Sequence, residues 1–263
     1  MLTARDLSVV LGRKPILSEV TVDLRPGELV AVIGPNGAGK STLLQALAGG
    51  IQPQAGEVAL DDLPLARWTR QALALRRAVV PQDSVLAFPL SAVEVALLGR
   101  SPHRRAGTPR RDLAVVAEAL QATGTDHLAD RDYTTLSGGE RQRVQFARAL
   151  AQIWPGDGAS GDGAGRYLLL DEPTASLDLK HQHQILRLAR NVAARGHGVL
   201  AVLHDFNLAA LYADRLVLLV EGRLVADGTP DQVLTADRVE EAFGMPVMVA
   251  RHPRGGAPMV IPA

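Results

Sequence analysis

Gly34-Pro35-Asn36-Gly37-Ala38-Gly39-Lys40-Ser41 fits the pattern G-x-x-x-x-G-K-[ST] in full. Before it runs Glu28–Ile33, whose Leu-Val-Ala-Val-Ile is apolar on both faces, as a buried parallel strand requires. After it comes a helical stretch over Lys40–Ala48 that Gly49-Gly50 stops. Strand, glycine-rich turn and helix in this order make a phosphate cradle. Glycines let the backbone wrap an anion, while consecutive N–H groups and the helix N-terminus supply fixed positive potential. Lys40 can neutralise β- and γ-phosphates, the Ser41 hydroxyl can ligate Mg²⁺, and Thr42 extends the set into the helix. These residues point to a site for a nucleoside triphosphate.

Strand and helix signals flank this turn on both sides. Upstream, Val20, Val22 and Leu24 alternate with Thr21 and Asp23, and a Pro26-Gly27 turn leads into the buried strand. Downstream, Arg77–Pro81 reads as a short strand. From Ser91 to about Gln152 the pattern is helical. Ser91-Ala92-Val93-Glu94 spells a capping box, Arg111–Ala122 has helical periodicity ending at Thr123-Gly124, and a third helix begins near Ser137. Then strands (Tyr167–Leu170, Val199–Leu203, Arg215–Val220) alternate with helices (Leu179–Arg195, Phe206–Tyr212). Such alternation predicts a mainly parallel sheet covered by helices, with a helical insertion at about 85–150.

Composition narrows the class. The chain has 263 residues, 47% hydrophobic, 21% charged and 3% aromatic, enough to bury a core without staples. Lys+Arg 28 balance Asp+Glu 28, so the cationic excess of a duplex-coating protein is missing and no nucleic-acid partner is expected. Zero cysteines remove disulfides, Cys-ligated zinc, iron–sulfur clusters and thiol nucleophiles, and fit a reducing compartment. Arg5 and Asp6 interrupt the N-terminus before an apolar signal segment could form. Runs such as Leu216–Val220 fall far short of the roughly 18 residues of a membrane span, so membrane contact is expected only through a partner. Pro155–Gly165, PGDGASGDGAG, predicts a flexible surface loop, and Gly255-Gly256 between two short apolar runs predicts a terminal hairpin.

Two further stretches carry chemistry. Tyr167-Leu168-Leu169-Leu170-Asp171-Glu172 delivers two carboxylates at the C-terminal end of a strand, where open α/β sheets bind ligands. Asp171 suits a magnesium shell and Glu172 an attacking water. An apolar strand ending in Asp-Glu is by itself more often structural, and the phosphate loop upstream tips the reading. Leu136-Ser137-Gly138-Gly139-Glu140 is a capping box with Ser137 at the N-cap and Glu140 at N3. Its two glycines in a first helical turn cost about 1 kcal/mol each against Ala. Bare backbone at a helix N-terminus suits close approach to an anion. Together with the loop and the strand, Leu136–Glu140 resembles the signature of the ABC (ATP-binding cassette) ATPases.

Other motifs of that family fall in order between about residues 2 and 235. Gln82 resembles the glutamine that contacts magnesium and senses the transporter. Ser176-Leu177-Asp178 resembles the D-loop, and His204, after a strand, the switch histidine. The resemblance implies one nucleotide-binding domain over 1–263 with an α/β P-loop NTPase core. Its mainly parallel sheet and an N-terminal antiparallel β subdomain would take about 1–84 and 153–235, a helical signature subdomain about 85–152, and a C-terminal extension 236–263. It implies that two copies close head to tail on two ATP with Mg²⁺. Each nucleotide would lie between the Lys40 loop of one copy (Gly34, Pro35, Asn36, Gly37, Ala38, Gly39, Lys40, Ser41 and Thr42) and Ser137, Gly138 and Gly139 of the other, with Glu140 and Asp178 also nucleotide-binding. Ser41, Gln82 and Asp171 would hold the metal, Glu172 would act as general base, and His204 would meet the γ-phosphate. One position departs: an aromatic residue usually precedes the glycine at position 12, and here it is Leu11, so adenine is expected on an aliphatic surface with loose base selectivity.

Leu98-Gly99-Arg100-Ser101-Pro102-His103 resembles the LGR-x-PH run of importers for iron–siderophores, cobalamin and haem, in the segment where such ATPases meet their permease. His181-Gln182-His183 and the glycine-rich stretch between Trp154 and Arg166 resemble the haem-import subgroup. The two histidines do not suit a metal, since i and i+2 on a helix point about 200° apart. Arg104, Arg105, Arg110 and Arg111 form a basic cluster that reads as a solvated loop or a phospholipid contact, without the aromatic interleaving of a nucleic-acid binder. The resemblance thus implies the ATPase of a haem importer at the cytoplasmic face of a bacterial inner membrane. Its direct partner would be a transmembrane permease dimer, and a solute-binding protein an indirect one. The alternatives are an iron–siderophore or cobalamin importer and a soluble ABC assembly ATPase.

Overall fold

Alternating apolar residues make the first two strands a twisted hairpin with one buried face. β1 (Leu2–Leu11) and β2 (Lys14–Leu24) pair antiparallel around Gly12, which takes a left-handed φ of +64°. The computed structural model describes residues 1–82, 89–103, 108–154, 165–175, 177–253 and 255–263. β3 (Leu29–Ile33) is buried at every position and feeds α1 (Lys40–Leu47). β4 (Ala55–Leu60) and β5 (Leu63–Pro64) join the hairpin in a four-stranded antiparallel sheet of order β2-β1-β4-β5. α2 (Arg70–Arg76), capped by the Thr69 side chain, runs straight into β6 (Arg77–Val80).

Three helices then depart from the sheet: α3 (Ala92–Leu98), α4 (Pro109–Ala122) and α5 (Gly138–Ile153). The expected capping boxes are present at Ser91 and Ser137, and Thr108 with Pro109 starts α4. The chain returns through β7 (Tyr167–Asp171), α6 (Leu179–Ala194), β8 (Gly198–Val202), α7 (Phe206–Tyr212) and β9 (Arg215–Val220). It closes with β10 (Arg223–Gly228), α8 (Pro230–Val233), α9 (Ala236–Phe243) and a hairpin of β11 (Val247–Arg251) and β12 (Pro258–Pro262).

The six-stranded sheet has order β10-β9-β3-β8-β7-β6, parallel except for the antiparallel edge strand β10. Parallel strands carry their C-terminal ends to one rim, so the turns after β3, β6, β7 and β8 meet there. That topology collects Gly34–Lys40, Asp171–Glu172 and His204 from distant stretches of chain. The sheet also separates two cores. Leu29, Ala31 and Ile33 face the helices α5 and α6, whereas Val30 and Val32 face α1 and the N-terminal sheet. A third, smaller cluster of Ala92, Val95, Leu128, Tyr133, Leu136 and Val144 sits within the helical part. Arg215 ties the two sheets together, reaching Asp227 at 2.9 Å, Glu28 at 3.1 Å and Asp23 at 3.4 Å.

Candidate nucleotide site

The phosphate loop is shaped by the fold before any ligand is considered. Gly34 has φ +148°, and a Cβ there would stand 2.0 Å from the carbonyl oxygen of Leu219. Gly39 has φ +96°, and a Cβ would come within 2.6 Å of the Leu17 side chain. Both must be glycine for β3 and α1 to be joined this tightly. α3 and α5 begin with capping boxes, but no side chain caps α1 and its first turn holds no acidic residue. Its leading N–H groups and dipole remain available to an anion.

Lys40 is 6% exposed, and its Nζ donates to the carbonyls of Gly34 at 2.8 Å and Pro35 at 2.9 Å. Burial pushes its pKa down, against the opposing pull of Glu172 and Asp171. The Ser41 hydroxyl donates to Asp171 Oδ1 at 2.9 Å, and burial pushes the Asp171 carboxyl up although that hydrogen bond favours its ionised form. The next residue, Glu172, has φ +48°. A left-handed conformation costs a side-chain-bearing residue about 1–3 kcal/mol, and such strain gathers at functional sites. The turn aims Glu172 across the rim, where its Oε1 lies 2.6 Å from His204 Nε2. A buried ammonium, an uncapped helix N-terminus and an oxygen-only pair of hydroxyl and carboxylate suit a triphosphate carrying a hard divalent cation.

Not every predicted residue joins this cluster. Gln82 is exposed, two residues past β6. Gly138 and Gly139 open α5, beginning a turn in which Glu140 Oε2 accepts from the Ser137 N–H and hydroxyl, both at 2.8 Å. Those bonds hold the Glu140 carboxyl below its usual range. No hydrogen bond or ion pair among the described residues links Ser137–Glu140 to Lys40, Asp171 or Glu172. Asp178 caps α6, accepting from the His181 N–H at 2.9 Å. Leu11 is 46% exposed at the tip of the β1–β2 hairpin. His181 Nδ1 bonds Asp178 while His183 Nδ1 meets the Tyr212 hydroxyl, each at 2.7 Å, so the two rings part as their spacing demands. Ser176, Arg104, Arg105 and residues 155–164 of the glycine-rich stretch lie outside the described residues.

Sequence reasoning missed the role of Arg100. Expected on the permease-facing segment, it is 3% exposed and turned inward, pairing with Asp112 at 2.8 Å and donating to the carbonyls of Ala151 and Trp154. His103 Nε2 likewise bonds the Gln152 carbonyl at 2.8 Å. Of that run, Leu98 and Ser101 are the exposed side chains.

Comparison with known proteins agrees with this geometry. The ABC transporter family matches residues 17–175. The hemin import ATP-binding protein HmuV of Gloeobacter violaceus is 54% identical, covering 100% of this chain and 94% of that protein. The protein of the same name from Pseudomonas aeruginosa is 49% identical over 99% of each chain. Among solved structures, an ATP-binding cassette captured as a post-hydrolysis dimer with ADP and Pi superposes with a TM-score of 0.74 at 28% identity, covering 87% of this chain and 98% of that one. With a buried lysine in a glycine loop, a carboxylate pair on the neighbouring strand and a family match over more than half its length, this chain belongs to the ABC transporter ATP-binding family.

Proposed function

We propose that the chain is the ATP-hydrolysing subunit of a haem importer. The single observation that carries the chemistry is the contact of Glu172 with His204, 2.6 Å apart, beside the buried Lys40–Ser41–Asp171 group. Gly34–Thr42 bind the triphosphate through backbone N–H groups and Lys40. Ser41, Asp171 and Gln82 hold Mg²⁺, which when bound neutralises charge on the phosphate oxygens. Glu172 accepts a proton from the attacking water, a role worth roughly 10²–10⁴-fold, and His204, its Nε2 2.6 Å from Glu172 Oε1, holds that carboxylate in place. The haem assignment rests on full-length similarity to proteins named for hemin import in two distant bacteria.

Ser137, Gly138, Gly139, Glu140 and Asp178 complete the site of a second copy, so that two chains close head to tail on two ATP. The separation of Ser137–Glu140 from the chain's own Lys40 cluster supports that division, as does the dimeric cassette among its structural neighbours. Residues 1–84 and 153–235 form the nucleotide-binding core, 85–152 the signature subdomain and 236–263 an extension. No helix among the described residues is long and apolar enough to cross a membrane. Attachment to the cytoplasmic face of the inner membrane therefore runs through a permease dimer, itself served by a solute-binding protein. The test is a pull-down of the tagged chain from its native membranes in mild detergent. A many-spanning permease whose companion binding protein takes up haem is expected. A companion that binds siderophores or cobalamin instead refutes the haem assignment, and a soluble scaffold without a permease refutes the importer.

A further inference from the structure

The C-terminal hairpin lies against the element that follows His204. α7 starts two residues beyond that histidine, with Asp205 at its N-cap accepting from the N–H groups of Asn207 at 2.8 Å and Leu208 at 2.9 Å. Asn207 in turn pairs with one residue of β12 in both directions. Its Nδ2 donates to the Val260 carbonyl at 3.2 Å, and its Oδ1 accepts from the Val260 N–H at 2.8 Å, as a neighbouring strand would. The Val260 side chain is 7% exposed and belongs to the main core together with Leu208 and Ala209. Beside it, Phe206 meets Phe243 of α9 edge to face, with ring centroids 4.7 Å apart. β12 covers α7 more extensively than α6 or β3 does. A helix of only seven residues has little stability of its own, so its placement is set by these neighbours.

We infer that Asn207 is a positioning residue for His204, through which the C-terminal hairpin fixes the imidazole against Glu172. The chain runs through the hydrogen bonds of Val260 with Asn207 and of Asn207 with Asp205 to the residue next to His204, whose imidazole makes the 2.6 Å contact. This rests on the reading of His204 given above. An asparagine side chain that presents one donor and one acceptor to the C=O and N–H of a single residue tolerates neither rotation nor sliding, which makes it a register mark and not merely a filler.

The test uses the full-length chain with ¹⁵N-labelled histidine. Asn207→Ala is expected to move the imidazole nitrogen resonances of His204 and lower kcat about tenfold, with ATP affinity changed less than about twofold, because small misplacements of a reacting group are costly in rate. Asn207→Asp, which keeps the acceptor for the Val260 N–H, is expected to recover part of both signals. An unmoved His204 resonance in Asn207→Ala, or a loss of ATP affinity equal to the loss of rate, overturns the inference. Should His204→Ala retain the parental turnover, the role given to His204 falls, while the resonance still reports whether Asn207 positions it.

Discussion

Removing the Arg100 guanidinium should cost far more than an arginine in a short exposed run would suggest. Its side chain is 4% exposed and pairs with Asp112, which is 17% exposed, at 2.8 Å. Its Nη1 reaches the Ala151 carbonyl at 2.6 Å and the Trp154 carbonyl at 2.8 Å. Within a continued helix Ala151 would bond the N–H of residue 155, which is proline and has none, so the arginine supplies the missing donor. Arg100→Met keeps the stem but leaves a half-buried carboxylate and two carbonyls without their partner. Breaking a buried pair in this way costs about 3–5 kcal/mol, which for a chain of this size lowers Tm by about 5–9 °C. Urea unfolding followed by circular dichroism measures the loss, and adding Asp112→Asn should return part of it because the stranded charge is then gone. A loss below about 1 kcal/mol in Arg100→Met would refute the account and return Arg100 to the surface role expected from the sequence.

Three other outcomes follow from the site. Glu172→Gln should bind ATP yet release phosphate roughly 10²–10⁴-fold more slowly; parental turnover would remove the general-base assignment. Ser137→Arg should leave ATP binding by the isolated chain intact and abolish turnover if, as proposed, that turn completes the partner's site; unchanged turnover would sink the head-to-tail arrangement. Asp171→Asn should stabilise the protein at about pH 7 while weakening Mg²⁺–ATP binding. Burial raises the Asp171 pKa in the fold, so its ionisation opposes folding as pH climbs above the ordinary carboxyl value of about 4, and the gain should fade as pH is lowered below that value. Equal urea midpoints at about pH 7 would show that the desolvation cost is offset within the site.

What the sequence revealed was the part written in local patterns. The buried run Leu29–Ile33, the glycines before Lys40 and the Ser-x-x-Glu spellings at Ser91 and Ser137 each state their own geometry, and all appear where expected. The terminal hairpin was also foreseeable from its central glycines. What escaped depends on tertiary partners. β4 and β5 carry little periodicity and exist through pairing, β4 with β1 and β5 with β4. β10 is a half-exposed edge strand of mixed composition. Glu172 has no sequence mark of its left-handed backbone, which the turn out of β7 imposes. Arg100 looked like a surface residue because the carbonyls it satisfies lie about fifty positions away, at the end of another helix.

α5 is anchored differently at its two ends. Val144 belongs to the small helical cluster, whereas Phe146, Ala147 and Leu150 belong to the main core, and Arg100 grips the terminal carbonyls. Sixteen residues make a rod about 24 Å long, with Ser137 at its free tip. Pivoting that rod by about 5° about its gripped end swings the tip by about 2 Å, the difference between a hydrogen bond and none. The rod therefore acts as a lever. A push beside Leu98 and Ser101, next to the fulcrum, is magnified at Ser137, and the small cluster around Val144 is the packing that has to give.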